Sequence, residues 1–173
     1  MRNAPRGRRG NAMTRKAFTV DEANGLIPVI ADVFREVDAH RRRIREAAKK
    51  IEVLELLWGG ALRDGSNPDH EEFARRREDV DRAMRAIQNA VEHGIIARGL
   101  RFPAGGLEEG LVDFPTTYQG RWVYLCWHVG EHDLRFWHET DAGFAGRRKI
   151  TEAQRREMGT DDPSSVEDEP LDF

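Results

Sequence analysis

From Leu26 to Leu54 the chain places apolar or small side chains in alternating steps of three and four: Leu26, Ile30, Val33, Val37, His40, Ile44, Ala47, Ile51 and Leu54. Only an α-helix gathers positions with that spacing onto one face, and a stripe kept up over four heptads describes a coiled-coil-like seam, with charged residues on the remaining faces. The start of the helix is marked. Thr19 and Glu22 have capping-box spacing, and Phe18 stands where a hydrophobic staple packs. Pro28 falls nine residues past that cap and predicts a kink or a restart, because proline removes a backbone donor. Gly59-Gly60 ends the run. A second helix is expected after Asn67-Pro68, a cap residue followed by proline at the first helical position. Phe73, Val80, Met84, Ile87 and Val91 form its stripe, and Gly94 closes it at C′. A connection of about eight residues folds the two into an antiparallel hairpin.

At about 1.5 Å per residue the first helix spans about 55 Å and the second about 39 Å. The longer one therefore carries a seam, around Ile44, Ile51 and Leu54, that its neighbour cannot cover alone. A second copy of the chain is the economical cover, so a homodimer through the helical hairpin is expected. His40 lies on the seam and reads as a polar residue that sets register, with a ligand-binding or pH-sensitive group as the alternative. His70 and His93 stand at helix ends, where they cap or face solvent.

After Gly94 the pattern changes. Residues 110–148 hold Trp122, Trp127 and Trp137, both tyrosines, the only cysteine and three of the six histidines. Leu111–Phe114, Arg121–Val129 and Asp133–Glu139 read as three antiparallel strands, joined by Pro115 to Gly120 and by a tight turn at Gly130. Ile95 and Ile96 are candidates for a further edge strand. In the middle strand Val123, Leu125 and Trp127 point one way, and Trp122, Tyr124, Cys126 and His128 the other. Both faces are apolar or aromatic, so one should rest on the hairpin. The other needs cover from the segment after Glu139, a second subunit or a ligand. Thr151 and Gln154 form a second capping box, opening a short helix that Gly159 stops.

The expected fold is therefore α+β: a long antiparallel helical hairpin, a small antiparallel β-sheet of about three strands, and a short C-terminal helix. One domain is expected over residues 17–159, divided into the hairpin 19–94, the β segment 95–150 and the helix 151–158. Residues 1–16 carry six bases and no acid, and residues 157–173 seven acids and no base. Residues 1–16 and 160–173 are read as basic and acidic disordered tails, and Met1 and Met13 are both candidate starts. The rest of the chain is nearly balanced in charge, which argues against a dedicated nucleic-acid binder, leaving only the basic tail as a possible contact. The apolar runs are far short of the roughly 20 residues needed to cross a bilayer, and no apolar segment follows the basic start as a secretory signal requires. One cysteine rules out an internal disulfide framework and fits a cytoplasmic setting.

The stretches GLVDFP, GRxVYLCWxxGE and WHExDxGFAGR, together with the entry FTVDEANxxIP, closely resemble the bacterial and archaeal family called domain of unknown function 2203. The resemblance runs over about residues 17–150. Its motifs fall on Thr19, Glu22, Ala23, Asn24 and Pro28, then on Asp113, Cys126, Trp127, Gly130, Glu131, Trp137, His138, Glu139, Gly143, Phe144, Gly146 and Arg147. It implies no reaction, substrate or catalytic residue.

Three readings of function stay open, and whether the chain is an enzyme is among the open points. In the first the chain is an intracellular module whose sheet and GFAGRR turn hold a small anionic ligand or a partner's acidic group. Candidate ligand-binding residues are Trp137, His138, Glu139, Asp141, Gly143, Gly146 and Arg147, with Arg147 as a planar cationic fork. In the second it is an enzyme dependent on a divalent metal, held by candidates from His138, Glu139, Asp141, His128 and Glu131. The third is a dimerising adaptor with no small-molecule site. The first two require Arg147, His138, Glu139 and Asp141 to converge at the end of the third strand. Cys126, between Leu125 and Trp127, reads as a buried thiol rather than a nucleophile. Asp113, inside an apolar run, needs a buried partner, with Arg121, Arg135 and Arg147 as candidates.

Overall fold

A computed structural model describes residues 16–166. Helix α1 runs unbroken over Val20–Trp58. Its cap is reciprocal: Glu22 N–H donates to Thr19 Oγ1 at 3.2 Å and Thr19 N–H to the Glu22 carboxylate at 3.0 Å. Phe18 is buried edge-on against Phe114 of the sheet. The kink or restart expected at Pro28 does not interrupt the helix. Ile27 and Ile30 on either side of it are buried in the core, and their packing holds the turn that proline deprives of one hydrogen bond.

Gly59, at φ 53°, ends α1, and a 3₁₀ turn over Gly59–Arg63 buries Leu62. Helix α2, His70–Gly94, then returns antiparallel. It begins two residues later than the Asn67-Pro68 signal suggests: Asn67 Oδ1 accepts the Asp69 N–H at 2.8 Å, as a cap does, but residues 68 and 69 form a turn ahead of the helix. His70 and His93 each place Nδ1 against a backbone carbonyl near their helix ends, Leu62 O and Asn89 O. The expected stripe of α2 packs in part, with Ile87 and Val91 set against the core. Phe73, Ala83 and Gly94 are its buried residues, while Val80, Ile87 and Val91 are half-buried and Met84 is 58% exposed. Small residues let the two helices approach closely. A side chain at Gly94 would collide with Val33.

The excess length of α1 is covered by the chain itself. Val20, Ala23, Ile27, Ile30, Val33, Phe34 and Val37, all from its first half, join Val112, Phe114, Val123, Leu125, Trp127 and Trp137 of the sheet in one core. Only the second half depends on α2, and at its tip Val53, Leu56, Leu57 and Trp58 remain exposed.

The sheet has four antiparallel strands in sequence order: β1 Leu111–Tyr118, β2 Arg121–His128, β3 Phe136–Glu139 and a two-residue β4, Arg148–Lys149. Strand β1 is four residues longer than expected, because the turn is only Gln119-Gly120, both at positive φ as a tight hairpin demands. Pro115 is tolerated inside it because β1 is an edge. Asp113 exchanges both backbone hydrogen bonds with Arg101 on that outer edge, so Pro115, two residues on, also turns its nitrogen away from β2, and its carbonyl accepts the Phe18 N–H at 2.8 Å. The second connection is wider than a tight turn and β3 starts at Phe136, with Cys126 opposite Phe136 and Tyr124 opposite His138. Glu131 organises that loop, its carboxylate taking the His128 N–H at 2.9 Å and its carbonyl the Trp127 indole at 3.0 Å. Ile95 and Ile96 form no strand. Ile95 is buried, and Ile96–Arg98 is a 3₁₀ turn leading to a short helix α3, Gly106–Glu109.

Thr151 and Gln154 make the second capping box at the head of α4, Glu152–Glu157. Gly159 donates to Thr117 O, and a side chain there would strike the Phe18 backbone. Past Gly159, where the sequence places the start of a tail, Asp161 accepts the Gly120 N–H at 3.0 Å and Val166 is 6% exposed. The basic segment lies outside the described residues except for Lys16, which pairs with Glu22, and so does the acidic end from residue 167. Among the described residues no helix is long and apolar enough to cross a membrane.

Candidate functional site

Strand alternation gives the sheet two unlike faces. Val112, Phe114, Val123, Leu125, Trp127 and Trp137 look toward the helices. Asp113, Thr117, Trp122, Tyr124, Cys126 and His138 look the other way, and all six are buried. Two arginines help to close that outer face. Arg101, from the segment ahead of β1, lays its guanidinium 3.7 Å above the Tyr124 ring, and Arg147 sits 4.1 Å from the Phe136 ring and 5.0 Å from that of Phe144.

At the centre of the outer face β1, β2 and β3 each contribute one ionisable group. Asp113 lies opposite Cys126 and His138 opposite Tyr124, so the Asp113 carboxylate, the Cys126 thiol and the His138 imidazole all come within 4.8 Å of one another. His138 Nδ1 is 2.7 Å from Glu139 O and Nε2 is 3.2 Å from Asp113 Oδ1. Both ring nitrogens thus face oxygen. Arg101 holds the other carboxylate oxygen, with Nε and Nη2 each 3.3 Å from Asp113 Oδ2. Burial pushes the Cys126 thiol well up from its ordinary pKa, and the Asp113 carboxylate adds to this against a smaller pull from Arg147. A thiol so held is a poor nucleophile, as its apolar neighbours in sequence suggest.

The residues expected to converge are divided among three places. His138 belongs to the buried cluster. Glu139, its neighbour, faces the opposite side and pairs with Arg121 at 3.1 Å and Arg148 at 3.5 Å. Asp141 is exposed, at the rim of a concavity shared with Arg121, Trp122, Glu139 and Thr140. Arg147 grips Glu131 at 2.6 and 2.8 Å and also donates to Cys126 O at 3.2 Å. The GFAGRR segment is a 3₁₀ turn over Phe144–Gly146, entered through Gly143 at φ 54°, with Gly146 close against Ala142. Trp137 is a core residue packed on Tyr118, and His128 lies beside Phe144. The strands therefore do not bring Arg147, His138, Glu139 and Asp141 into one cluster, because His138 and Glu139 stay on opposite faces to the end of β3.

Asp113 does have a buried arginine partner, but it is Arg101 rather than Arg121, Arg135 or Arg147. Arg121 and Arg147 are committed to glutamates, and Arg135 to Asp133 at 3.0 Å. Arg101 lies in a segment with no periodicity, where nothing in the sequence signals it. The Asp113–Cys126 pairing had a signal, since a two-residue turn at Gln119-Gly120 fixes that register by counting back along both strands.

Residues 16–150 match the family described as "Uncharacterized conserved protein (DUF2203)", and the chain belongs to it. All the site residues above lie within the matched part. No curated protein and no solved structure matches the chain.

Proposed function

We propose that this chain is a cytoplasmic, homodimeric partner-binding module, in which the first partner of each α1–α2 hairpin is the hairpin of a second copy. One observation carries the reading: the hairpin has two unlike sides. Successive residues of a helix turn by about 100°. Relative to the contact between the helices, Arg43, Glu46 and Lys50 of α1 therefore fall on the same side as Asp79 and Arg82 of α2, and together they line one charged groove. Ile44, Ala48 and Ile51 fall on the opposite side of α1, and Val80, Met84, Ile87 and Val91 on the opposite side of α2. Charges of both signs suit solvent. An apolar stripe shared by antiparallel helices can be self-complementary about a two-fold axis and suits a four-helix arrangement.

The groups expected to hold a small anion favour this reading by default. Arg147 is neutralised by Glu131, and Arg121 and Arg148 by Glu139. The single cysteine, free and buried, fits a reducing cytoplasm. Sedimentation equilibrium at micromolar concentration is expected to give the mass of two chains. Met84→Glu should reduce it to one while leaving the circular dichroism spectrum unchanged, because Met84 is 58% exposed in the single chain and a charge there is buried unpaired only in the dimer. A wild-type protein with the mass of a single chain would overturn the proposal.

A further inference from the structure

The cluster on the outer face of the sheet brings together three donor atoms of different chemistry. We propose that Cys126 Sγ, His138 Nε2 and one oxygen of Asp113 form a binding site for a single divalent transition ion of the zinc class. A thiolate and an imidazole together select against magnesium and calcium, which take oxygen ligands, and suit zinc or cobalt.

The geometry is that of ligands around one centre. The three donors lie within 4.8 Å of one another. The 3.2 Å between His138 Nε2 and Asp113 Oδ1 is close to the edge of a tetrahedron whose metal–ligand bonds are about 2.0–2.3 Å. Strands β1, β2 and β3 each supply one donor, so the site is held by the ladder rather than by a loop. The outer partners that orient ligands are also in place. The Glu139 carbonyl takes the Nδ1 proton of His138 and directs Nε2 inward, and Arg101 occupies Asp113 Oδ2 and leaves Oδ1 to the site.

The donors themselves lower the cost of placing a cation in a buried site. The Asp113 carboxylate is already there, and binding a doubly charged ion releases the Cys126 thiol proton to solvent, so that two anionic ligands face the two positive charges of the ion.

The test uses the full-length protein, freed of metal with a chelator and titrated with Co²⁺ and then Zn²⁺. One equivalent of Co²⁺ should bind and give a thiolate-to-cobalt charge-transfer band in the near ultraviolet. Zn²⁺ should displace it, and the proton of the Cys126 thiol should appear in weak buffer as the first ion binds. Cys126→Ser should abolish the band and weaken binding by more than the roughly 10–100-fold that loss of an outer partner costs. Glu139→Gln, altered on the other face of the sheet, should retain both band and stoichiometry. Binding without the band, substoichiometric binding, equal affinity in Cys126→Ser, or loss of the ion in Glu139→Gln would each overturn the proposal. Should Cys126→Ser fail to fold, the wild-type cobalt spectrum decides alone.

Discussion

The hairpin and the sheet solve the problem of polar groups in opposite ways. On the hairpin the charges are outside, paired along the helix surface as in Arg76 with Glu72 and Arg82 with Asp79, and the apolar side chains are incompletely covered. In the sheet the order is reversed. Asp113 and His138 are wholly buried and bonded to each other, and the strands around them expose little apolar surface. Surface ion pairs of the first kind contribute little, typically about 0–1 kcal/mol. Breaking a buried pair of the second kind is costly, because it strands a charge away from water. The hairpin is thus the part of the molecule still in want of a neighbour, and the sheet is the part whose internal polar geometry must be kept.

The largest effect is expected at Asp113. Asp113→Ala removes the buried carboxylate that both Arg101 and His138 contact. Urea unfolding of metal-free protein should show a loss of about 3–5 kcal/mol, the range for removing one partner of a buried pair. A loss below about 1 kcal/mol would place the sheet's pairs in the same class as those of the hairpin. A smaller effect is expected at Gly94, where the helices meet. Gly94→Ala forces a methyl group into Val33 and should cost about 1–3 kcal/mol, as overpacking does, measured by the same unfolding curves. The smallest effect is at the α1 cap. The Thr19 backbone N–H, aided by Lys16, holds the Glu22 carboxyl below its ordinary pKa. A group whose folded pKa is depressed stabilises above its unfolded pKa, and that contribution is lost as pH falls through the folded value. Thermal melts between neutral pH and pH ~3 should therefore converge for wild type and Glu22→Gln as acid is added.

The contrast also explains which parts of the molecule could be read in the sequence. The hairpin follows from local rules: a capping box at Thr19 and Glu22, apolar steps of three and four, and glycines at its ends. Even there part of the packed face of α2 escaped the pattern, because Ala83, Ala90 and Gly94 pack by being small, whereas Val80 and Met84 announce themselves by being apolar. For the sheet, alternation sorted the residues of β2 correctly between two faces. It could not say which residues of β3 lie beside them, since that parity depends on the width of the loop that Glu131 organises. Read with a tight turn, His138 falls on the wrong side of Cys126. Read with the actual register it joins Asp113 and Cys126, leaving Glu139 and Asp141 elsewhere. Arg101 was beyond reach for another reason, as a long-range bridge from an aperiodic segment has no local signature.

The central claim is that the apolar side of the hairpin is covered by a second copy, and Met84 reports on it directly. In the single chain Met84 is 58% exposed while Met158 is fully buried. Oxidation of each methionine to its sulfoxide by dilute peroxide can be followed by peptide mass across a dilution series, with Met158 as the internal reference. The dimer predicts that Met84 is protected at high concentration, nearly as slow as Met158, and becomes fast as the protein is diluted and the copies part. Rapid oxidation of Met84 at every concentration, with Met158 still protected, would contradict it.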